Sequence, residues 1–181
     1  MKKLLILLIF LLPLPSCSLK KIRIHPKQKG IDPVFKPYIQ EYRNLIGPKT
    51  LKRRFKKLHM NFADLEGNTL GRCYWLLGGD FEIEIDKDYW NRPWGFLDKE
   101  FTVYHELEHC IRFRMHTNKK IRIKNIEDFF EVIGYYIGFM GRKGFLKDGC
   151  PASLMHSHSF SVYCQNKHYQ YYLNEIIDYN K

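Results

Sequence analysis

Thr102-Val103-Tyr104-His105-Glu106-Leu107-Glu108-His109-Cys110 carries the pattern H-E-x-x-H. Positions i and i+4 of a helix lie one turn apart on the same face. His105 and His109 can therefore each turn a ring nitrogen toward one zinc ion, with Glu106 beside that face. Zinc lowers the pKa of the water it coordinates to about 7, and a neighbouring carboxylate can take the proton as that water attacks a carbonyl. This is the chemistry of a metal peptidase with Glu106 as general base. The same five letters also occur on ordinary surface helices. Here Phe101, Val103, Tyr104, Leu107 and Ile111 surround them with apolar positions, so a helix set into a core is expected.

Such a zinc site needs a third protein ligand and leaves a fourth position open. The residues offer three sources. His116 follows His109 by seven residues, which returns it to nearly the same helix face but about 10 Å further along the axis. It can reach the metal only if the helix stops and the chain folds back. No glycine lies between Cys110 and Met115 to ease that bend, so Arg112, Arg114 or an adjacent residue would take an unusual backbone conformation. Glu127 or Glu131, on a following helix, is the second source. His156 or His158, in a late loop, is the third.

Length and composition suit one domain: 181 residues, 45% of them hydrophobic. Residues 1–17 stand apart. Lys2 and Lys3 form a basic start, and residues 4–12 are an unbroken apolar run. The run is too short to span a bilayer as a helix, which takes about 20 residues, but suits a signal peptide. Leu14-Pro15-Ser16-Cys17 then reads as a lipobox with Cys17 as the acylated residue, although Pro15 is unusual there. Ordinary secretory cleavage and an uncleaved anchor are the alternatives. The expected organisation is a lipoprotein signal peptide at 1–17, a tether at 18–30 and a metallopeptidase-like domain at 31–181.

The formal net charge is +11, with basic clusters at 49–57 (KTLKRRFKK) and 119–124 (KKIRIK). They can attract anionic lipid or cell-wall polymer, or simply form a solvated basic face. Nucleic acid is a poor partner for an exported chain. Past the leader, Cys73, Cys110, Cys150 and Cys164 allow three disulfide connectivities. Pairing Cys73 with Cys110 would tie the motif helix to a strand, and Cys150 with Cys164 would close the late loop. Four reduced buried thiols are the alternative.

Periodicity supplies the frame. Ile22 and Ile24 suggest a short first strand. Asp32-Pro33 opens a helix whose apolar stripe includes Phe35, Tyr38, Ile39 and Tyr42, and Gly47-Pro48 ends it. Strands are expected over 58–62, 70–77 and 81–85. The acidic face of the last (Glu82, Glu84, Asp86) is expected to meet solvent, with a face turned to a cleft as the alternative. Asp98 is the expected N-cap of the motif helix. Asn125 opens an apolar-striped helix running to Met140, and Asn166 caps a last one.

His105 to His109, with His116 behind and Ala152-Ser153-Leu154-Met155 later, resembles the metzincin metallopeptidases, whose pattern is H-E-x-x-H-x-x-G-x-x-H followed by a methionine turn. More closely, the chain resembles a group of small bacterial and phage metallopeptidases, often lipoproteins. They share H-E-L-G-H-C, an Arg and a His at the spacing of Arg114 and His116, and an S-I-M turn. The likeness runs from about Asp32 to the C-terminal helix. Glu108 replaces a glycine inside the motif, the metzincin glycine after His109 is absent, and His116 sits one residue later.

The resemblance implies an α+β, metzincin-like fold: a small antiparallel or mixed sheet packed on helices with the H-E-x-x-H helix at the site. It ranks His116 first as third ligand, ahead of Glu127 and Glu131, with His156 and His158 last. It puts Met155 as an apolar floor under the metal, with a methionine in an ordinary loop core as the alternative. Tyr163 is either a transition-state donor or a packing residue. The expected function is zinc-dependent hydrolysis of peptide bonds in a peptide or protein substrate, by a monomer lipid-anchored to a membrane at the cell envelope. A catalytically dead binding module and a zinc amidase acting on peptidoglycan peptides are the alternatives.

Overall fold

The computed structural model describes residues 22–47, 49–93, 96–116, 145–156 and 161–179. The leader with Cys17, the basic cluster at 119–124, Glu127, Glu131, the helix expected over 125–140 and His158 lie outside them.

Asp32 caps the first helical stretch as expected, its carboxylate accepting from the Val34 N–H at 3.0 Å. A single 3-10 turn, Pro33–Phe35, leads into helix α1, Lys36–Ile46. Gly47 ends α1 at φ 94°, a conformation that costs glycine little. A short helix α2, Lys52–Phe55, follows.

Four strands form one mixed sheet: β1 (Ile22–Arg23), β2 (Leu58–Ala63), β3 (Gly71–Leu76) and β4 (Phe81–Asp86), in the order β1-β3-β4-β2. The tight turn after β3 makes β3 and β4 antiparallel neighbours, with Gly71 opposite Ile85. The longer 64–70 connection lets the chain cross from one side of β4 to the other. β2 therefore runs parallel to β4, with Leu58 opposite Phe81, so that of the two expected arrangements, antiparallel or mixed, the sheet is mixed.

The acidic face of β4 does not meet solvent. Glu82 and Glu84 are 1% and 3% exposed. β1 and the loop behind it lie over them. Arg23 donates to Glu82 at 2.8 Å and to Glu84 at 2.7 Å, and the Lys27 N–H reaches Glu82 at 2.7 Å. Burial alone would raise Glu84, but the Arg23 guanidinium outweighs it and holds the carboxyl below its ordinary range. Asp86 turns away to cap helix α3, Lys87–Asn91, through the Tyr89 N–H at 2.7 Å.

The opposite face of the sheet packs on α4, Phe96–Arg112. Phe101, Val103, Tyr104, Leu107, Cys110 and Ile111 are all essentially inaccessible, each apolar side chain of this size contributing about 1.5–3 kcal/mol by burial. The motif helix is thus the centre of the core. Its first turn differs from expectation. Asp98 lies inside the helix rather than at its cap. There it accepts from Tyr89 Oη and Gln165 Nε2, both at 2.7 Å, joining three helices near a favourable dipole end.

The chain closes with helix α5, Val162–Lys167, and helix α6, Tyr169–Asp178. Ser161 caps α5, accepting from the Cys164 N–H; the expected cap Asn166 lies inside α5, and α6 starts after His168 with no side-chain cap. Cys73–Cys110 and Cys150–Cys164 form the two expected disulfides, with Cα separations of 5.6 and 5.4 Å. Such links typically contribute about 2–4 kcal/mol. Among the described residues no helix is long and apolar enough to cross a membrane.

Candidate metal centre

One helical turn separates His105 from His109, and their Nε2 atoms stand 3.0 Å apart. His116 Nε2 lies 3.1 Å from each of them. The three nitrogens form a nearly equilateral triangle.

His116 reaches this position because the helix stops. α4 ends at Arg112, and Phe113 takes φ 60°. The Arg114 N–H then donates to the Glu108 carbonyl at 3.1 Å, six residues back. The fold-back that geometry demands is therefore placed on a residue adjacent to both arginines. A left-handed non-glycine residue costs about 1–2 kcal/mol. Phe113 offsets it by contact: its ring lies 5.1 Å from Trp75 and 5.8 Å from Phe81, with the Arg54 guanidinium 4.2 Å above it.

The outer ring nitrogens settle the tautomers of two histidines. His105 Nδ1 is 2.7 Å from the Leu154 carbonyl, and His109 Nδ1 is 2.6 Å from the Arg114 carbonyl. A carbonyl can only accept, so each Nδ1 carries the proton. Each Nε2 then directs a lone pair inward. Unshared pairs at such separations repel unless a cation lies between them. Nitrogens about 2.0–2.1 Å from a tetrahedral zinc would be about 3.3 Å apart. The donor set fits zinc, and its all-nitrogen character does not fit calcium or magnesium, which take oxygen.

Glu106 follows the first histidine and is 6% exposed. Its side chain lies against strand β3 at Gly71. A Cβ there would come within 2.6 Å of Glu106 Cγ and 2.9 Å of Oε1, closer than such atoms approach. Sequence reasoning gave Gly71 no role. A glycine inside a strand is itself the signal that another group comes close.

Three further residues singled out in the sequence lie among those described: His156, Met155 and Tyr163. His156 is buried, its ring edge-on to Phe145 at 4.6 Å, and shares no ligand cluster among the described residues. Met155 and Leu154 are fully buried, and it is the Leu154 carbonyl that touches the site. Tyr163 is 60% exposed, so it is no packing residue, and its hydroxyl accepts from Lys167 Nζ at 2.8 Å. A second cluster, Asp148, Cys150 and His168, has metal-like spacing. Its sulfur is spent in the Cys150–Cys164 disulfide, and Lys167 and His168 already hold the Asp148 carboxylate at 2.9 and 2.7 Å. These partners keep Asp148 well below the usual carboxylate range.

The family model described as "Putative phage metallopeptidase" matches residues 40–148, more than half of the chain. The chain belongs to this family. No curated protein and no solved structure matches it. The stretch shared with the phage metallopeptidase family holds His105, Glu106, His109 and His116 but stops before Leu154. A peptidase-like function and a capacity to bind metal follow from the family together with the histidine cluster.

Proposed function

We propose that the chain is a metzincin-like zinc peptidase that hydrolyses peptide bonds at the bacterial cell envelope, held there by a lipid on Cys17. The observation that carries the zinc reading is the convergence of His105, His109 and His116 Nε2 within 3.1 Å of one another, with two of the tautomers set by backbone carbonyls. His105, His109 and His116 would hold the ion. Zinc supplies a Lewis acid that polarises a carbonyl and makes water more acidic.

The chain's own residues do the rest. The Glu106 carboxylate takes the proton from the attacking water and passes it to the departing amine nitrogen. Gly71 keeps that carboxylate close against β3, so its approach to the substrate is set by backbone and not by a mobile side chain. The Leu154 and Arg114 carbonyls hold two imidazoles in the ligand tautomer.

The test is metal content and turnover on the full-length protein. One zinc per chain is expected by elemental mass spectrometry. Cleavage of a broad peptide library should be lost on chelation and recovered with zinc. Zinc without any cleavage would favour a binding module, and no zinc would remove the chemistry altogether. The anchor is tested separately. Cys17→Ser is expected to move the protein out of the lipid-labelled membrane fraction, and unchanged labelling would refute lipidation there.

A further inference from the structure

We propose that Glu175, on α6, is the positioning residue that orients both His105 and His109 through two separate hydrogen-bonded arms. The inference rests on the zinc reading above. Glu175 lies 66 residues beyond His109 in sequence and beyond the stretch that the family model matches.

The first arm runs to His105. The Ser153 hydroxyl donates to Glu175 Oε1 at 2.6 Å. Ser153 Oγ in turn accepts the Met155 N–H at 3.0 Å. That N–H belongs to the same planar peptide unit as the Leu154 carbonyl, which accepts from His105 Nδ1 at 2.7 Å. The Leu154 N–H also donates directly to Glu175 Oε2 at 2.8 Å. One carboxylate therefore holds Leu154 on both sides.

The second arm runs to His109. The Arg114 guanidinium binds Glu175 Oε1 and, at 2.9 Å, Glu108 Oε2. The carbonyl of the same Arg114 accepts from His109 Nδ1 at 2.6 Å. Glu108 is fully buried and also takes Tyr42 Oη at 2.5 Å and Arg112 at 2.9 Å.

Metal-bound histidines usually hand their outer N–H to a carboxylate or carbonyl, which fixes the ring and raises its basicity. Here the carboxylate acts one step back, through a hydroxyl and a peptide on one side and a guanidinium on the other. Chains of this kind polarise each other. Two arms converging on one carboxylate make the two imidazoles depend on the same group.

Losing that carboxylate need not undock α6. Tyr172 and Ile176 are fully buried, Tyr172 Oη donates to the Pro151 carbonyl at 2.7 Å, and Arg112 donates to the Ile176 carbonyl at 2.5 Å. Glu175→Gln keeps the size but sets an amide donor against the Leu154 N–H or the Arg114 guanidinium.

The experiment uses the full-length protein loaded with zinc, or with cobalt(II) as a spectroscopic probe. Glu175→Gln is expected to leave thermal unfolding of the metal-free protein near wild type. Its zinc should dissociate about 10–100-fold faster, and its cobalt absorption bands should shift. Ser153→Ala removes the hydroxyl route of the first arm and keeps the Leu154 N–H bond to Glu175, so it should move both readouts the same way by less. In metal-free protein, imidazole ¹⁵N shifts should show His105 and His109 as Nδ1–H tautomers in wild type and as mixed tautomers in Glu175→Gln. Unchanged zinc dissociation, cobalt spectrum and tautomers in Glu175→Gln would overturn the proposal. Wild type that takes up no metal, with Glu175→Gln still shifting the tautomers, would defeat the zinc reading while leaving the positioning role in place.

Discussion

Glu106→Gln is expected to keep one zinc per chain and to lose peptide hydrolysis by about 10²–10⁴-fold, the usual worth of a positioned general base. Glutamine fills the same space against Gly71, so the substitution removes the proton acceptor with little change in packing. Gly71→Ala probes the same group from the other side. Its methyl would enter within 2.6 Å of Glu106 Cγ, forcing the carboxylate away while leaving its chemistry intact. It should lower kcat with zinc content unchanged, because displacement of about 1 Å at a reacting group can cost 10²-fold. Steady-state rates with metal analysis check both. A Glu106→Gln protein as active as wild type would end the general-base assignment. A fully active Gly71→Ala protein would show that the close approach is incidental.

How much of this could be read from the chain depends on the range of the interaction. The motif helix, the strands and the Asp32 cap were legible because periodicity and capping are local. The need for a bend before His116 was legible as well, since seven helical residues carry it about 10 Å along the axis. That Phe113 would supply the bend was not, because its compensation comes from Trp75 and Phe81, more than thirty residues earlier in sequence. The alternation of β4 suggested a solvated acidic face. The cation that buries it, Arg23, sits on a two-residue strand, too short to announce itself as a cover. Parallel pairing of β2 with β4 was hidden because alternation tells faces, not neighbours.

Gly71 and Glu175 show the same limit at the site itself. A strand glycine signals that some group comes close without naming it, and a polar residue on an amphipathic helix carries no signal at all. Each acquires its meaning from a residue far away in sequence, Glu106 in one case and Ser153 with Arg114 in the other. The cysteines were easier. Cys110 neighbours His109, and a link from it to a strand was a natural arrangement. The disulfide fixes β3, and with it Gly71, against the helix that carries Glu106.

His116→Ala should weaken zinc binding by more than about 100-fold, exceeding the 10–100-fold typical of losing a group behind the ligands. His105 and His109 alone leave zinc with two protein donors where stable catalytic sites use three. The turn that delivers His116 should survive the change. Its closure depends on the Arg114 N–H to Glu108 carbonyl bond and on the Phe113 contacts, not on the imidazole. His116→Ala should therefore fold with near-normal stability when metal is absent, and differ from wild type only when zinc is supplied. Phe113→Gly is the companion variant. Glycine accepts φ 60° without strain, so zinc should still bind, while the lost ring contacts lower stability. Competition titration with a chromophoric chelator gives the affinities, and thermal unfolding with and without zinc gives the stabilities. Wild-type zinc affinity in His116→Ala would transfer the third ligand to Glu127, Glu131 or His158. A simultaneous loss in Phe113→Gly would show instead that the aromatic lock, and not backbone permissiveness, holds the triangle closed.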